Sequence, residues 1–221
     1  DRVASRGLGD VYKRQEGPII DGSGSASGPI AFIDRDGVLN YGRNGYVNHP
    51  HELNVIPGSG KAIARLREKG YAICVVTNQS PIMRQLWTVE RLHSIHEELR
   101  KQLLEEDENA IIDVIMTCPH RTRDRCGCRK PWPGMLVQGN NLLRNERKVN
   151  GRIDWSGPKP EPWHRLDAMI GDRKSDMGAG WAVGTRTFEV SDRLGLPQVI
   201  ERVLDEDCLL YTSDAADDVR G

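Results

Sequence analysis

Four short stretches of this chain carry side chains that could do chemistry together. Asp34-Arg35-Asp36-Gly37 and Gly171-Asp172-Arg173-Lys174-Ser175-Asp176 each offer a pair of carboxylates. Each follows directly on an apolar run, Ile30–Ile33 or Leu166–Ile170. An acid at the end of a buried strand emerges in the crevice where open α/β sheets place ligands. Carboxylates gathered there repel one another unless a cation lies among them. Hard carboxylate oxygens on loops suit Mg2+ better than zinc. Between the acid pairs come Thr77-Asn78-Gln79-Ser80, which closes a third apolar run, and Lys130. A hydroxyl, backbone N–H groups and an ammonium aimed at a Mg2+-carboxylate site are what a phosphoryl group requires. Taken singly, Asp-x-Asp is usually a solvated turn, Thr77 a strand-end hydrogen bond and Lys130 a surface charge. Together at strand ends, they form a far more specific pattern.

A second cluster is of another kind. Cys118-Pro-His120 and, five residues on, Cys126-Gly-Cys128 gather three thiols and an imidazole within eleven positions. Cys3His is a preferred tetrahedral zinc set, and four protein ligands leave no open position for catalysis. The expected role is therefore structural, a staple for a loop too polar to fold around a core. A redox pair or a disulfide is the competing reading, and a reducing compartment disfavours the disulfide. Cys74, inside an apolar run, is expected to be a buried small hydrophobe.

These side chains need a scaffold. Strands are expected at Ile30–Asp34, Tyr71–Thr77, Ile111–Met116, Leu166–Ile170 and Thr185–Val190. Helices are expected over Pro57–Lys69, stopped by Gly70, and from Thr88, whose hydroxyl caps a face marked by Leu92, Ile95, Leu99 and Leu103. A further helix spans Met135–Leu143 despite Gly139. Strands alternating with helices imply an α/β fold with a parallel sheet and right-handed crossovers. Asn145–His164 is long for a connection; its Asn150-Gly151 pair suggests a hairpin insertion, with Trp155 and Trp163 packing its base.

The chain has 221 residues, 31 Lys+Arg against 32 Asp+Glu, and a formal net charge of −1. That length suits a disulfide-free core, and the balance argues against a nucleic-acid or anionic-membrane binder. No apolar run approaches the roughly 20 residues that span a bilayer. A cytoplasmic monomer is expected. The ends are suspect. Asp10–Gln15 can be encoded by GATGTGTATAAGAGACAG, and one frame of its reverse complement encodes Cys208–Ser213. Residues 1–15 and 208–221 are therefore expected to derive from a sequencing-library linker. Residues 16–29, with a Gly/Ser-rich stretch, are expected to be a flexible lead-in to a domain over 30–207.

Asp34-Arg-Asp-Gly37, Thr77-Asn78, Lys130 and Gly171-Asp172-Arg-Lys-Ser-Asp176 resemble, in order and spacing, the four motifs of haloacid-dehalogenase-like phosphatases. The resemblance spans about Ile30 to Val190 and implies a Rossmann-like domain and an aspartyl-phosphate mechanism. It would make Asp34 the nucleophile and Asp36 the general acid and base. Mg2+ would sit on Asp34, Asp172 and the Asp36 carbonyl, with Asp176 orienting its surroundings. Thr77 and Lys130 would hold the transferring oxygens. Cys-Pro-His followed by Cys-x-Cys-Arg-Lys-Pro is similar to the zinc-bearing branch of D,D-heptose 1,7-bisphosphate phosphatases and histidinol-phosphatases, which lack a large cap. Asp36-Gly-Val-Leu-Asn40, Gly45-Tyr-Val47 and Thr77-Asn-Gln-Ser80 followed by Arg84 favour the heptose group. Within it, Arg43, Asn44, Gly45, Tyr46, Asn78, Gln79, Ser80, Arg129 and Arg173 are expected at the substrate, a small phosphorylated sugar. Pro81, where a Gly is usual, and the 145–164 insertion depart from the pattern. The basic rim of Arg121, Arg123, Arg125 and Arg129 suits a second phosphate better than the amine of histidinol phosphate. A zinc-stapled nucleic-acid module would leave the strand-end acids unexplained, since they repel phosphate.

Overall fold

The computed structural model describes residues 17–43, 45–148 and 152–208 of the 221. Of the expected linker-derived ends, residues 1–15 and 209–221 lie outside the described residues, as do Asn44 and the Asn150-Gly151 turn. Cys208 is described and packs against the core.

Six strands form one sheet: β1 (Ile19–Gly22), β2 (Ile30–Ile33), β3 (Ala72–Asn78), β4 (Val114–Cys118), β5 (Ala168–Gly171) and β6 (Arg186–Glu189). Their order is β1-β4-β3-β2-β5-β6, and every pair is parallel except β1 with β4. The helices are α1 (Ser59–Glu68), α2 (Val89–Glu106), α3 (Gly134–Arg144), α4 (Lys174–Trp181) and the short α5 (Ile200–Leu204).

Alternation along the strands builds two cores. Ala31, Ile33, Ile73, Val75, Ile115 and Ile170 face α1, α2 and α5. Ile30, Phe32, Cys74, Val76, Met116 and Met169 face α3 and α4. Successive strand residues point to opposite faces, so near-continuous apolar runs are what a sheet covered on both sides requires. Thr88 caps α2 by accepting the Arg91 N–H at 3.3 Å, and Leu92, Ile95, Leu99 and Leu103 are fully buried. Gly139 has a packing reason: a Cβ there would lie 2.7 Å from the Cys74 sulfur, so its bare Cα lets α3 approach the sheet. Cys74 is buried, and burial raises its thiol pKa.

Three expectations need correction. The lead-in is not all irregular: Ile19–Gly22 pairs with β4 as an antiparallel edge. Asp21 secures it, with Oδ2 3.0 Å from His96 Nδ1 and 3.1 Å from Arg100 Nη1. The third expected strand starts later, at Val114, because the preceding Asp113 carboxylate is bound to the Ile73 N–H (2.7 Å) and Arg67 (2.8 Å). No strand forms among the described residues 145–148 and 152–164. Pro158, Pro160 and Pro162 remove ladder donors from that segment. Trp163 packs inward, edge-on to Phe32 at 6.3 Å, while Trp155 packs on Trp181 with nearly half of its surface exposed.

No described helix is long and apolar enough to cross a membrane.

Candidate active site

The sheet order reverses at β2, whose neighbours are β3 on one side and β5 on the other. Crevices at such switch points lie beyond the carboxyl ends of the strands. Asp34 and Asp36 follow β2, Thr77 and Asn78 end β3, and Asp172 and Asp176 follow β5. All six line or floor one cavity of about 280 Å3 or contact its lining residues.

Lys130 reaches in from the loop after β4. Its ammonium is buried, 2.8 Å from Asp34 Oδ1 and 2.6 Å from Asp176 Oδ1, and it donates to the Val76 carbonyl at 2.7 Å. Asn78 ties that loop to β3: its Oδ1 accepts from the Lys130 N–H at 3.2 Å and its Nδ2 donates to the Lys130 carbonyl at 3.3 Å. Desolvation would push the lysine toward its neutral form, but Asp34 and Asp176 outweigh it and hold the pKa above the usual lysine value.

Burial pushes Asp34 up to about 7, with Lys130 opposing the rise and Asp176 and Asp36 adding to it. Burial also raises Asp172, whose Oδ1 has no hydrogen-bond partner. Oxygens of Asp34, Asp172 and Asp176 lie within 4.8 Å of one another. An unpartnered buried oxygen and two carboxyls pushed toward neutrality would be relieved by a small hard cation, which would restore the charged forms. The donor set fits Mg2+. Two glycines make room for these carboxylates. At Gly37, with φ +84°, a Cβ would lie 2.5 Å from Asp172 Oδ2, and at Gly171 one would collide with Asp176.

Asp36 is held by Arg35, Asn40 and Gln79, of which the sequence singled out only Gln79, and that as a substrate contact. The fully buried Arg35 guanidinium is 2.9 Å from Asp36 Oδ2 and also bonds Oδ1. Asn40 Nδ2 donates to Oδ1 at 3.0 Å and Gln79 Nε2 to Oδ2 at 2.7 Å. Burial alone would raise this carboxyl, but Arg35 and the two amides hold it below the usual range. The same Gln79 amide donates to Thr77 Oγ1 at 2.9 Å. Gln79 is thus buried beneath the cavity, joining two expected catalytic groups rather than facing substrate. Ser80 is buried too, its Oγ 3.0 Å from the Tyr46 hydroxyl.

The rim contains other expected residues. Arg43, Gly45, Tyr46, Asn78, Arg129 and Arg173 line the cavity, while Asn44 lies outside the described residues. Arg43 is drawn toward Glu52, with Nη1 3.9 Å from its carboxylate, and Arg129 donates to the His120 carbonyl at 3.0 Å. Trp132, which the sequence did not single out, lines the same cavity.

Cys118, His120, Cys126 and Cys128 converge, with ligand atoms within 4.8 Å of one another. Sulfur separations of 2.9 Å (Cys126–Cys128) and 3.1 Å (Cys128–Cys118) exceed the roughly 2.05 Å of a disulfide, and all five cysteines are free. His120 Nδ1 lies 3.6 and 3.5 Å from the Cys118 and Cys128 sulfurs. Three sulfurs and one imidazole nitrogen are a donor set that could hold zinc. Cys126 and its neighbour Arg125 also line the cavity, so this loop forms one of its walls.

No family model matches the chain. Curated relatives do. The D-glycero-beta-D-manno-heptose-1,7-bisphosphate 7-phosphatase of Pseudomonas aeruginosa is 40% identical over 187 residues, 85% of this chain and 94% of that protein. The Pseudomonas putida protein of the same name is 32% identical over 187 residues, 85% of this chain and 95% of its own length. Among solved structures, the D,D-heptose 1,7-bisphosphate phosphatase of B. bronchiseptica, complexed with magnesium and phosphate, is similar with a TM-score of 0.60 at 25% identity. It covers 79% of this chain and 99% of that one. With that fold, these acids at its strand ends and relatives matched along nearly their whole length, the chain is a phosphoric monoester hydrolase of the haloacid-dehalogenase-like superfamily and belongs to the heptose-1,7-bisphosphate 7-phosphatase family.

Proposed function

We propose that this chain removes the 7-phosphate of D-glycero-D-manno-heptose 1,7-bisphosphate through a phosphoryl group carried on Asp34. The observation that carries the reading is the buried Lys130 ammonium between Asp34 and Asp176, at the floor of a cavity rimmed by Arg125, Arg129 and Arg173. An Asp34 oxygen adds to phosphorus as the bond to the sugar C7 oxygen breaks. Asp36, ionised in the free site, takes up a proton when the phosphate dianion enters beside it and passes that proton to the leaving oxygen. Asp36, now ionised, takes a proton from water, whose oxygen attacks phosphorus and releases phosphate and free Asp34. Thr77 and Lys130 hold the non-bridging oxygens as charge builds on them. Mg2+ bound by Asp34, Asp172 and the Asp36 carbonyl would shield phosphate charge from the carboxylates. Zinc on Cys118, His120, Cys126 and Cys128 would be structural, fixing the wall that carries Arg125 and Arg129.

The arginine rim supports a substrate with a second phosphate over one with an amine. The reading also takes the enzyme to work in the cytoplasm, where thiols stay reduced, and as a monomer, all its proposed site residues coming from one chain.

Phosphate release with Mg2+ from α- and β-heptose 1,7-bisphosphate and from histidinol phosphate tests the substrate. A heptose preference of about a hundredfold, worth roughly 2.7 kcal/mol of transition-state binding, is expected. A preference for histidinol phosphate would overturn it.

A further inference from the structure

Three tryptophans far apart in sequence pack in a row that begins with Trp132 at the active-site cavity. Trp132 follows Lys130 by two positions and lines the same cavity as Asp34 and Arg129. Its ring meets Trp155 edge-on, with centroids 6.1 Å apart and planes at 65°. Trp155 in turn lies over Trp181, at 5.7 Å and 20°. Trp181 is the last residue of α4, the helix that carries Asp176, so the stack stands on the element that builds the phosphoryl site. Yet Trp132 and Trp155 remain 45% and 46% exposed. Large indoles gathered beside a cavity and left open to water are unusual on a monomeric surface unless something lies on them.

We propose that Trp132, braced by Trp155 and Trp181, is the platform on which the sugar ring of the substrate lies; this rests on the sugar-phosphate reading above. A pyranose presents a face of C–H groups and an edge of hydroxyls, and an aromatic face matches the first while leaving the second in water. Position matters as much as chemistry. In a heptose 7-phosphate the ring is set back from the phosphorylated carbon by one further exocyclic carbon. A residue two positions from Lys130 is set back by at most about 7 Å of chain. Arg125 and Arg129, on the same cavity, would then meet the phosphate at the other end of the ring. The platform gives the 145–164 segment a purpose. Its Trp155 braces a domain that shows no large cap among the described residues, and a rigid aromatic surface costs little entropy to present.

The test compares kcat/KM for heptose 1,7-bisphosphate with that for acetyl phosphate, which has no ring, in Trp132→Ala, Trp155→Ala and Trp132→Phe. The ratio between the two substrates falls tenfold or more in Trp132→Ala, chiefly through KM, and less in Trp155→Ala. Trp132→Phe restores most of it. In Asp34→Asn, the sugar bisphosphate quenches tryptophan fluorescence, and adding Trp132→Phe removes most of the quench. A ratio within threefold of the parent in Trp132→Ala, while the parent still cleaves the heptose bisphosphate, would overturn the platform and leave the substrate reading standing. A parent that prefers histidinol phosphate or a nucleoside monophosphate would overturn both.

Discussion

Gln79 Nε2 lies 2.7 Å from Asp36 Oδ2, and the same nitrogen is 2.9 Å from the Thr77 hydroxyl. One buried amide therefore fixes the aim of the proposed general acid and the hydroxyl proposed for the phosphoryl oxygens. Neither group can turn without breaking a bond to Gln79. Replacing it with Ala is expected to lower kcat by about 10- to 100-fold, less than the roughly 10²–10⁴ of a whole general acid–base, because Asp36 keeps Arg35 and Asn40. KM should change little, because the side chain does not reach the cavity. A rise in KM at constant kcat, read from steady-state kinetics, would instead make Gln79 a substrate contact.

Lys130 is bound on three sides, by two carboxylates and a carbonyl. Lys130→Ala is expected to lower kcat by about 10²- to 10³-fold, the usual cost of losing one aimed donor to developing charge. Without metal it also leaves Asp34 and Asp176 facing each other unpaired, at a cost of about 3–5 kcal/mol in chemical denaturation. Excess Mg2+ should recover part of the stability and little of the rate. A variant that keeps its rate would show that the ammonium does not meet the phosphoryl group.

The edge strand carries a pH dependence of its own. His96 is buried against Asp21, with Arg100 and His93 also facing that carboxylate. Burial pushes the imidazole pKa down to about 4, from 6.5, despite its bond to Asp21. The unfolded chain then binds a proton the folded chain refuses between those two values. Stability from this group is complete above pH 6.5 and declines as pH falls toward 4. Between pH 7 and 5 the loss is about 2 kcal/mol, or roughly 4–8 °C in Tm at this size. His96→Asn should flatten that limb in a series of thermal melts. An unchanged slope would assign it to other groups.

What could be read from the sequence was what is local. The acids follow apolar strands in pairs two and four residues apart, and the zinc-type ligands span eleven positions. The partners of those groups lie far along the chain. Gln79 holds Asp36 across 43 residues, and the Asp21 that anchors β1 answers to His96 and Arg100 some 75 and 79 residues later. No spacing rule covers such pairs. The proline-rich segment after α3 misled for a different reason. Its Asn-Gly pair signals a hairpin, but three prolines downstream deny it a ladder.

If the four-ligand loop holds zinc, purified protein carries about one zinc per chain by elemental analysis, beside whatever Mg2+ the assay supplies. Stripping it with a strong chelator should lower Tm by about 5 °C or more, near 2 kcal/mol for this length, and raise KM by loosening the wall that carries Arg125 and Arg129. Cys128→Ser should behave like the stripped protein. Full zinc depletion with no change in Tm would remove the structural role.

The account turns on a covalent bond between Asp34 and phosphorus. Enzyme turning over the heptose bisphosphate with Mg2+ can be quenched with borohydride, which reduces an acyl phosphate to an alcohol and converts that aspartate to homoserine. Mass spectrometry of the peptide containing Ile30–Gly37 should find homoserine at position 34, dependent on substrate and absent in Asp34→Asn. Turnover with position 34 unmodified, or with the phosphoryl group on another residue, would contradict it.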